Sequence, residues 1–161
     1  MVDNANRVWH KAGVTFVVRS LDYKEVPDEV LNSLDSFNNT ALKQFGKAVL
    51  ADRFEDGIID VVFLRSFSNG IEDLAIIEGN ISIAFLSELE SIDFISWTLA
   101  HELGHTLGLL DVFEFDNLMI RVDGTSMLRF SYRNAYLPSN LTDQQIVIIR
   151  NTIEAKSFSI S

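Results

Sequence analysis

The sequence predicts a single-domain α/β (α+β) sandwich, a mixed sheet covered by helices. Three observations predict it. Short β-branched and aromatic runs cluster between residues 47 and 86, the length and composition of strands. Three longer stretches, opening at Pro27, Ser91 and Thr142, instead space their apolar residues at helical period. The resulting order, strand, helix, four strands, helix, irregular segment, helix, is that of a layered fold rather than of segregated sheets and bundles. With 161 residues, 47% of them hydrophobic and 22% charged, the chain can bury one core, and order is expected to fail only at its two ends.

Taken in order, Val14 to Arg19 is a β-branched and aromatic run after Gly13 and reads as a first strand. Pro27, Asp28 and Glu29 suit the first turn of a helix, and Val30, Leu31, Leu34, Phe37, Leu42 and Phe45 carry its apolar face to Gly46. Lys47 to Ala51, Ile58 to Arg65, Leu74 to Glu78 and Ile81 to Leu86 read as strands. The last two are joined by the turn-like pair Gly79 and Asn80, so they are expected to pair. Ser91 caps the next helix, with Asp93 in its first turn and Ile92, Ile95, Leu99 and Leu103 at helical period as far as Gly104 and Gly108. After an irregular stretch from Leu109 to Asn140, Thr142 caps a last helix to about Glu154, with Ile146, Ile149 and Ile153 as its buried stripe. Trp9 and Trp97 belong to the core.

Composition narrows the function. The net charge is −10 and the basic residues are scattered singly, so the basic face that grips phosphate backbones is missing and nucleic acid is not an expected partner. There is no cysteine, which removes disulfides and thiolate metal sites. Met1 to Lys11 lacks the apolar core of a signal peptide, and no apolar run approaches the roughly 18 residues of a membrane span. As written, the chain is expected to be a cytoplasmic monomer with no membrane partner; a secreted protein trimmed of its leader would read the same.

The chemistry lies in the second predicted helix. His101 and His105 stand four residues apart, one turn along one helical face, where both rings can direct a nitrogen to a single ion. Glu102, next to the first histidine, is placed to take a proton from metal-bound water, the general-base position. Gly108 can adopt positive φ and turn the chain out of the helix, which brings Asp111 back as the third ligand of a Zn2+ site with one position left for water. Glu114 and Asp116 on the same loop compete for that role, and Asp111 could merely solvate a turn. The plain alternative for the whole segment is a helix bearing two histidines and no metal.

The run His101, Glu102, Leu103, Gly104, His105, Thr106, Leu107, Gly108, Leu109, Leu110, Asp111 resembles the extended HExxHxxGxxD zinc signature of the metzincin metallopeptidases, with aspartate at the third ligand as in the snapalysin-type branch. The resemblance implies a metzincin-like zincin fold: a mixed, mostly parallel, twisted sheet packed by helices, with the catalytic helix carrying HExxH. It implies a Met-turn, and Asp116, Asn117, Leu118 and Met119 resemble one, with Met119 favoured over Met127 by its distance from Asp111. Leu141 to Gln145, opening the last helix, is similar to the family's pattern too.

The implied activity is a zinc endopeptidase acting on peptides or proteins, an extended substrate pairing with the edge strand at Leu74, Ala75, Ile76 and Ile77. The loop Ile120 to Leu137 would wall the specificity pocket, and Tyr132 or Tyr136 on it could stabilise the transition state, as tyrosines do in some members, or simply pack there. His10 reads as an ordinary surface or packing residue, and Glu88, Glu90 and Asp93 as solvated helix-start charge. Two other functions stay open: a catalytically silent, zinc-containing domain that binds a protein partner, and zinc as a structural staple. The intact Glu102 argues against the first, and the lack of a fourth protein ligand nearby argues against the second.

Overall fold

A computed structural model describes residues 1–23, 25, 58–64, 73–78, 81–87, 92–121 and 137–155. The chain begins with a helix, α1 (Val2–Trp9), continued by a 3-10 turn at His10–Ala12 and ended by Gly13 at φ 75°. This corrects the expectation of a loose N-terminal end. Ala5, Trp9 and Ala12 fall at spacings of four and three, so they share one face, and all three are buried while His10 stays outside. Asp3 in the first turn and Arg7 in the last also oppose the helix dipole. A fully buried tryptophan anchors such a short helix strongly; truncating one costs about 3–5 kcal/mol.

Val14–Arg19, expected as a strand, enters no ladder. Its backbone is claimed by a side chain instead. Phe16 N–H donates to Asn6 Oδ1 at 2.8 Å and Asn6 Nδ2 donates to Phe16 O at 2.9 Å. Phe16 then packs edge-on against Trp9, ring centres 5.9 Å apart. The β-branched pattern was real, but an asparagine one helical turn from Trp9 supplies both hydrogen bonds a neighbouring strand would have offered.

Three of the expected strands are present: β1 (Ile59–Leu64), β2 (Asp73–Glu78) and β3 (Ile81–Ser87). They lie in the order β1-β3-β2. β1 runs parallel to β3, Ile59 opposite Ser82 and Leu64 opposite Ser87. β2 and β3 pair antiparallel as expected, Asp73 opposite Leu86 and Glu78 opposite Ile81. The described sheet is therefore mixed, with one parallel and one antiparallel ladder, and not mostly parallel. β2 lies at its edge among the described strands.

Helix α2 (Ile92–Thr106) rests on β2 and β3 and is crossed by α1. Ten of its residues are buried, among them every position from Ser96 to Gly104. A helix enclosed on so many sides sits at the centre of the molecule, and the histidine motif is on its last turns. Helix α3 (Asp143–Ala155) closes the described chain. Thr142 caps it as expected, through a reciprocal box: Gln145 N–H donates to Thr142 Oγ1 at 3.2 Å and Thr142 N–H donates to Gln145 Oε1 at 2.8 Å. Ile149 is fully buried, with Ile146 and Ile153 packed at the margin of the core. Trp97 is buried like Trp9 and donates from its indole to Pro138 O at 2.7 Å.

The helix expected from Pro27 to Gly46, the strand from Lys47 to Ala51, the Gly79-Asn80 turn and the Ser91 cap lie outside the described residues, as do Glu88, Glu90, Met127, Tyr132 and Tyr136. No described helix is long and apolar enough to cross a membrane.

Candidate metal centre

The site is built by the way α2 ends. Gly108 adopts φ 87°, its N–H donates to His105 O at 2.9 Å, and Leu109 N–H donates to Gly104 O at 3.0 Å. That pair of bonds is the Schellman closure of a helix, which needs a left-handed residue where Gly108 stands. A Cβ on Gly108 would also press on Thr152 Oγ1, 2.9 Å away in α3. The reversal sends Leu109 into the core and returns Asp111 to the face of the helix it has just left.

There the donors converge. His101 Nε2 and His105 Nε2 each lie 3.4 Å from Asp111 Oδ1. Of the competing carboxylates, Asp116 Oδ2 instead accepts from Asn140 Nδ2 at 3.2 Å, and among the described residues Glu114 forms no ion pair with either histidine. Glu102 brings a second carboxylate, with one oxygen and one nitrogen of each histidine mutually within 4.8 Å. The two imidazoles stand nearly perpendicular, 85° between planes and 4.8 Å between centres, so they meet edge to face rather than stacked.

What orients the rings is backbone. His101 Nδ1 is 2.8 Å from Leu118 O and His105 Nδ1 is 2.9 Å from Leu109 O. A carbonyl can only accept, so each Nδ1 carries a proton and each Nε2 faces the shared point, bearing a lone pair when the ring is neutral and a second proton when it is charged. Imidazoles that bind metals are commonly fixed in this way. Two lone pairs facing one carboxylate repel it unless a cation or a proton lies between them. A tetrahedral ion bonded at about 2.0–2.1 Å holds neighbouring donors about 3.3–3.4 Å apart, the spacing found here. The residues therefore suit a tetrahedral divalent ion. One side of the site is open, since the Asp111 side chain is 43% exposed against 10% for that of His101.

The same proximity shifts the charges of the metal-free site. The imidazole hydrogen bonds from His101 and then His105 hold the Asp111 carboxyl well below the ordinary carboxylate range, against its partial burial. Burial alone would lower His105, but the hydrogen bond to Asp111 and the charge of Glu102 outweigh it and leave the ring above its ordinary value of 6.5. Burial pushes the Glu102 carboxyl up from 4.5, opposed by the two imidazoles and reinforced by Asp111. Its Oε2 is buried with no hydrogen-bond partner among the described residues, a costly placement for a carboxylate.

Met119 forms the floor. It is fully buried, and its thioether lies so close beneath Gly104 that a Cβ there would overlap Sδ. The segment is bound at several points: Met119 O accepts from Val112 N–H at 2.8 Å, Met119 N–H donates to Asn117 Oδ1 at 2.9 Å, and Leu118 N–H donates to Asn140 O at 2.8 Å.

Asn117 and Gln145 stood in the sequence only as members of the Met-turn-like run and of the last helix's opening, with no role assigned, and they tie this floor to α3. Asn117 Nδ2 donates to Gln145 Oε1 at 2.9 Å and Gln145 Nε2 donates to Asn117 Oδ1 at 3.1 Å, both amides buried. The signal for half of this pair was visible, because Thr142 followed three residues later by Gln145 is a capping box. The other half depends on a contact between residues 28 apart in sequence. Neither a protein-family model nor a curated protein matches the sequence.

Proposed function

We propose that this chain is a zinc-dependent endopeptidase of metzincin-like type, with His101, His105 and Asp111 as the ligands of Zn2+ and Glu102 as the general base. One observation carries the reading. Two imidazole Nε2 atoms meet one carboxylate oxygen at 3.4 Å each, beside a buried carboxylate oxygen of Glu102 that has no hydrogen-bond partner among the described residues. A purely structural ion would be closed by a fourth protein ligand and would have no use for such a base.

Bound zinc would supply Lewis acidity, acidifying water and polarising the scissile carbonyl. The remaining steps belong to the protein. Glu102 takes the proton of the attacking water and delivers it to the leaving amine, and its burial raises its basicity toward the range where a general base works well near neutrality. Leu118 and Leu109 carbonyls keep both imidazoles in the Nδ1-protonated tautomer throughout. Asp111 adds one negative charge to the ligand set. An extended substrate would add to the edge of β2 at Leu74–Ile77, main chain to main chain, which is why a peptide is the expected substrate.

The test is a library of quenched-fluorescent peptides offered to the zinc-loaded protein and to its Glu102→Ala variant, with cleavage positions read by mass spectrometry. We expect cleavage that chelator abolishes and that the variant loses while it keeps its zinc. No cleavage at full zinc occupancy would reject the peptidase and leave a zinc-containing binding domain.

A further inference from the structure

The loop that returns Asp111 to the imidazoles reads Leu110, Asp111, Val112, Phe113, Glu114, Phe115, Asp116, apolar and acidic residues in near alternation. Val112 turns inward and packs against the core. Leu110, Phe113 and Phe115 do the opposite, standing 81%, 80% and 76% exposed. Single exposed apolar residues are ordinary, but three large ones within six positions of one loop form a patch that solvent disfavours.

The patch does not follow from a loose backbone. Val112 N–H donates to Met119 O and Arg121 N–H to Val112 O, both at 2.8 Å, Asn117 N–H donates to Glu114 O at 3.2 Å, and Asn140 N–H donates to Asp116 O at 3.1 Å. A loop so tied to the floor of the metal centre presents Phe113 and Phe115 to solvent in a set geometry. Glu114 stands between them, exposed and, among the described residues, without a hydrogen-bonding or ionic partner for its carboxylate.

We infer that Leu110, Phe113 and Phe115, with Glu114 between the two rings, form the ridge that selects the substrate chain, and that it favours peptides in which apolar side chains alternate with basic ones. The inference rests on the peptidase reading for the nature of its occupant. Proximity supports it: Phe113 is two residues from Asp111, at most about 7 Å along an extended backbone, so a chain whose scissile bond lies at the metal passes within reach of the ridge. Charge supports the basic component, since Glu114 and Asp116 flank the rings on a chain of net charge −10. Aromatic rings add a face for a lysine or arginine to cover.

Binding, rather than turnover, tests this. Zinc-loaded Glu102→Ala protein, which leaves peptide intact, is titrated by fluorescence anisotropy with three labelled peptides: one alternating Phe or Leu with Lys, one with Ser replacing the apolar residues, and one with Glu replacing Lys. The first is expected to bind about tenfold tighter than either other, a difference of about 1.4 kcal/mol. Adding Phe113→Ser and Phe115→Ser should abolish the preference over the serine peptide, and adding Glu114→Gln should weaken the preference for Lys over Glu. Val147→Ser, which removes an apolar side chain 55% exposed on α3, should change neither. Equal affinity for all three peptides, or preferences that survive the double phenylalanine variant, would overturn the ridge. If the parent enzyme cleaves nothing yet these preferences hold, the peptidase reading falls and the ridge stands.

Discussion

Replacing Gly104 with alanine sets two known effects against each other. In the middle of an exposed helix the change is favourable, because alanine exceeds glycine in helix propensity by about 1 kcal/mol. Here the new methyl would overlap Met119 Sδ and lie 3.0 Å from its Cε and 3.5 Å from a ring carbon of Trp9. A thioether can usually swing away, but Met119 and Trp9 are both 0% exposed, so it has no space to enter. Forcing an extra methyl into a packed core costs about 1–3 kcal/mol; the overlap with Met119 Sδ puts this site in the upper half of that range, so after the propensity gain we expect G104A to be about 1–2 kcal/mol less stable. Met119→Ala alone should cost about 2–5 kcal/mol through its cavity. In the double variant the alanine methyl occupies part of that cavity, so the two losses should fall short of additive by about 1 kcal/mol or more. The assay is urea unfolding of chelator-treated protein, because bound zinc would add its own linkage term. A G104A protein as stable as the parent, or strict additivity, would refute the claim that Met119 packs directly under the histidine helix.

The other predictions concern the centre itself. Asp111→Ala should lower zinc affinity beyond the ~10–100-fold typical of outer partners, whereas Glu102→Ala should leave it nearly intact; the reverse order in a competitive chelator titration would make Glu102 the third ligand. Gln145→Leu leaves the buried Asn117 amide without its partner, so a stability loss of about 1–3 kcal/mol is expected. Because Asn117 also holds Met119 N–H, next to the Leu118 carbonyl that orients His101, zinc affinity should drop as well; unchanged affinity would separate the clasp from the site. In the metal-free protein, burial raises Glu102 above 4.5, and Asp111 and Glu102 raise His105 above 6.5 despite its burial. A group raised on folding contributes stability that is complete below its unfolded pKa and lost as pH climbs through its folded one. The urea midpoint should therefore decline as pH rises above 4.5, where Glu102 begins to lose its contribution, and decline further above 6.5, where His105 does. Asp111, depressed on folding, keeps its contribution throughout that window, since it is lost only well below 3.8. A flat or rising midpoint would contradict these assignments.

Much of the centre was legible in the sequence because its information is local. Helical geometry alone puts residues four apart on one face, so the spacing of His101 and His105 already implied a shared point in space. Gly108 implied a left-handed exit from the helix, and the structure has φ 87° there. Three strands, the second and last helices and the Thr142 cap were legible for the same reason: periodicity and capping are properties of neighbours in sequence. Where a pattern allowed two local solutions, the sequence misled. Val14–Arg19 has strand composition, yet Asn6 satisfies Phe16 and no ladder forms. The polar residues at the N-terminus concealed a face of Ala5, Trp9 and Ala12 that only a tertiary partner, α2, could make into a helix.

What tertiary structure decided is how the favoured candidate reaches the imidazoles. Asp111, Glu114 and Asp116 are all carboxylates on one loop; motif spacing favoured Asp111, but spacing does not say what holds the loop in place. The ties from Val112 to Met119 and from Asp116 to Asn140 set the path of that loop, so that Asp111 meets the imidazoles while Asp116 pairs with Asn140. The carbonyls that orient the histidines and the amides that hold the floor could not be read from sequence either, since every residue has a carbonyl and its value depends on what it faces. Local spacing determined which side chains could act together. The long-range hydrogen bonds of the floor determined which of them come together, because a partner such as Gln145 becomes a neighbour of Asn117 only once α3 has packed.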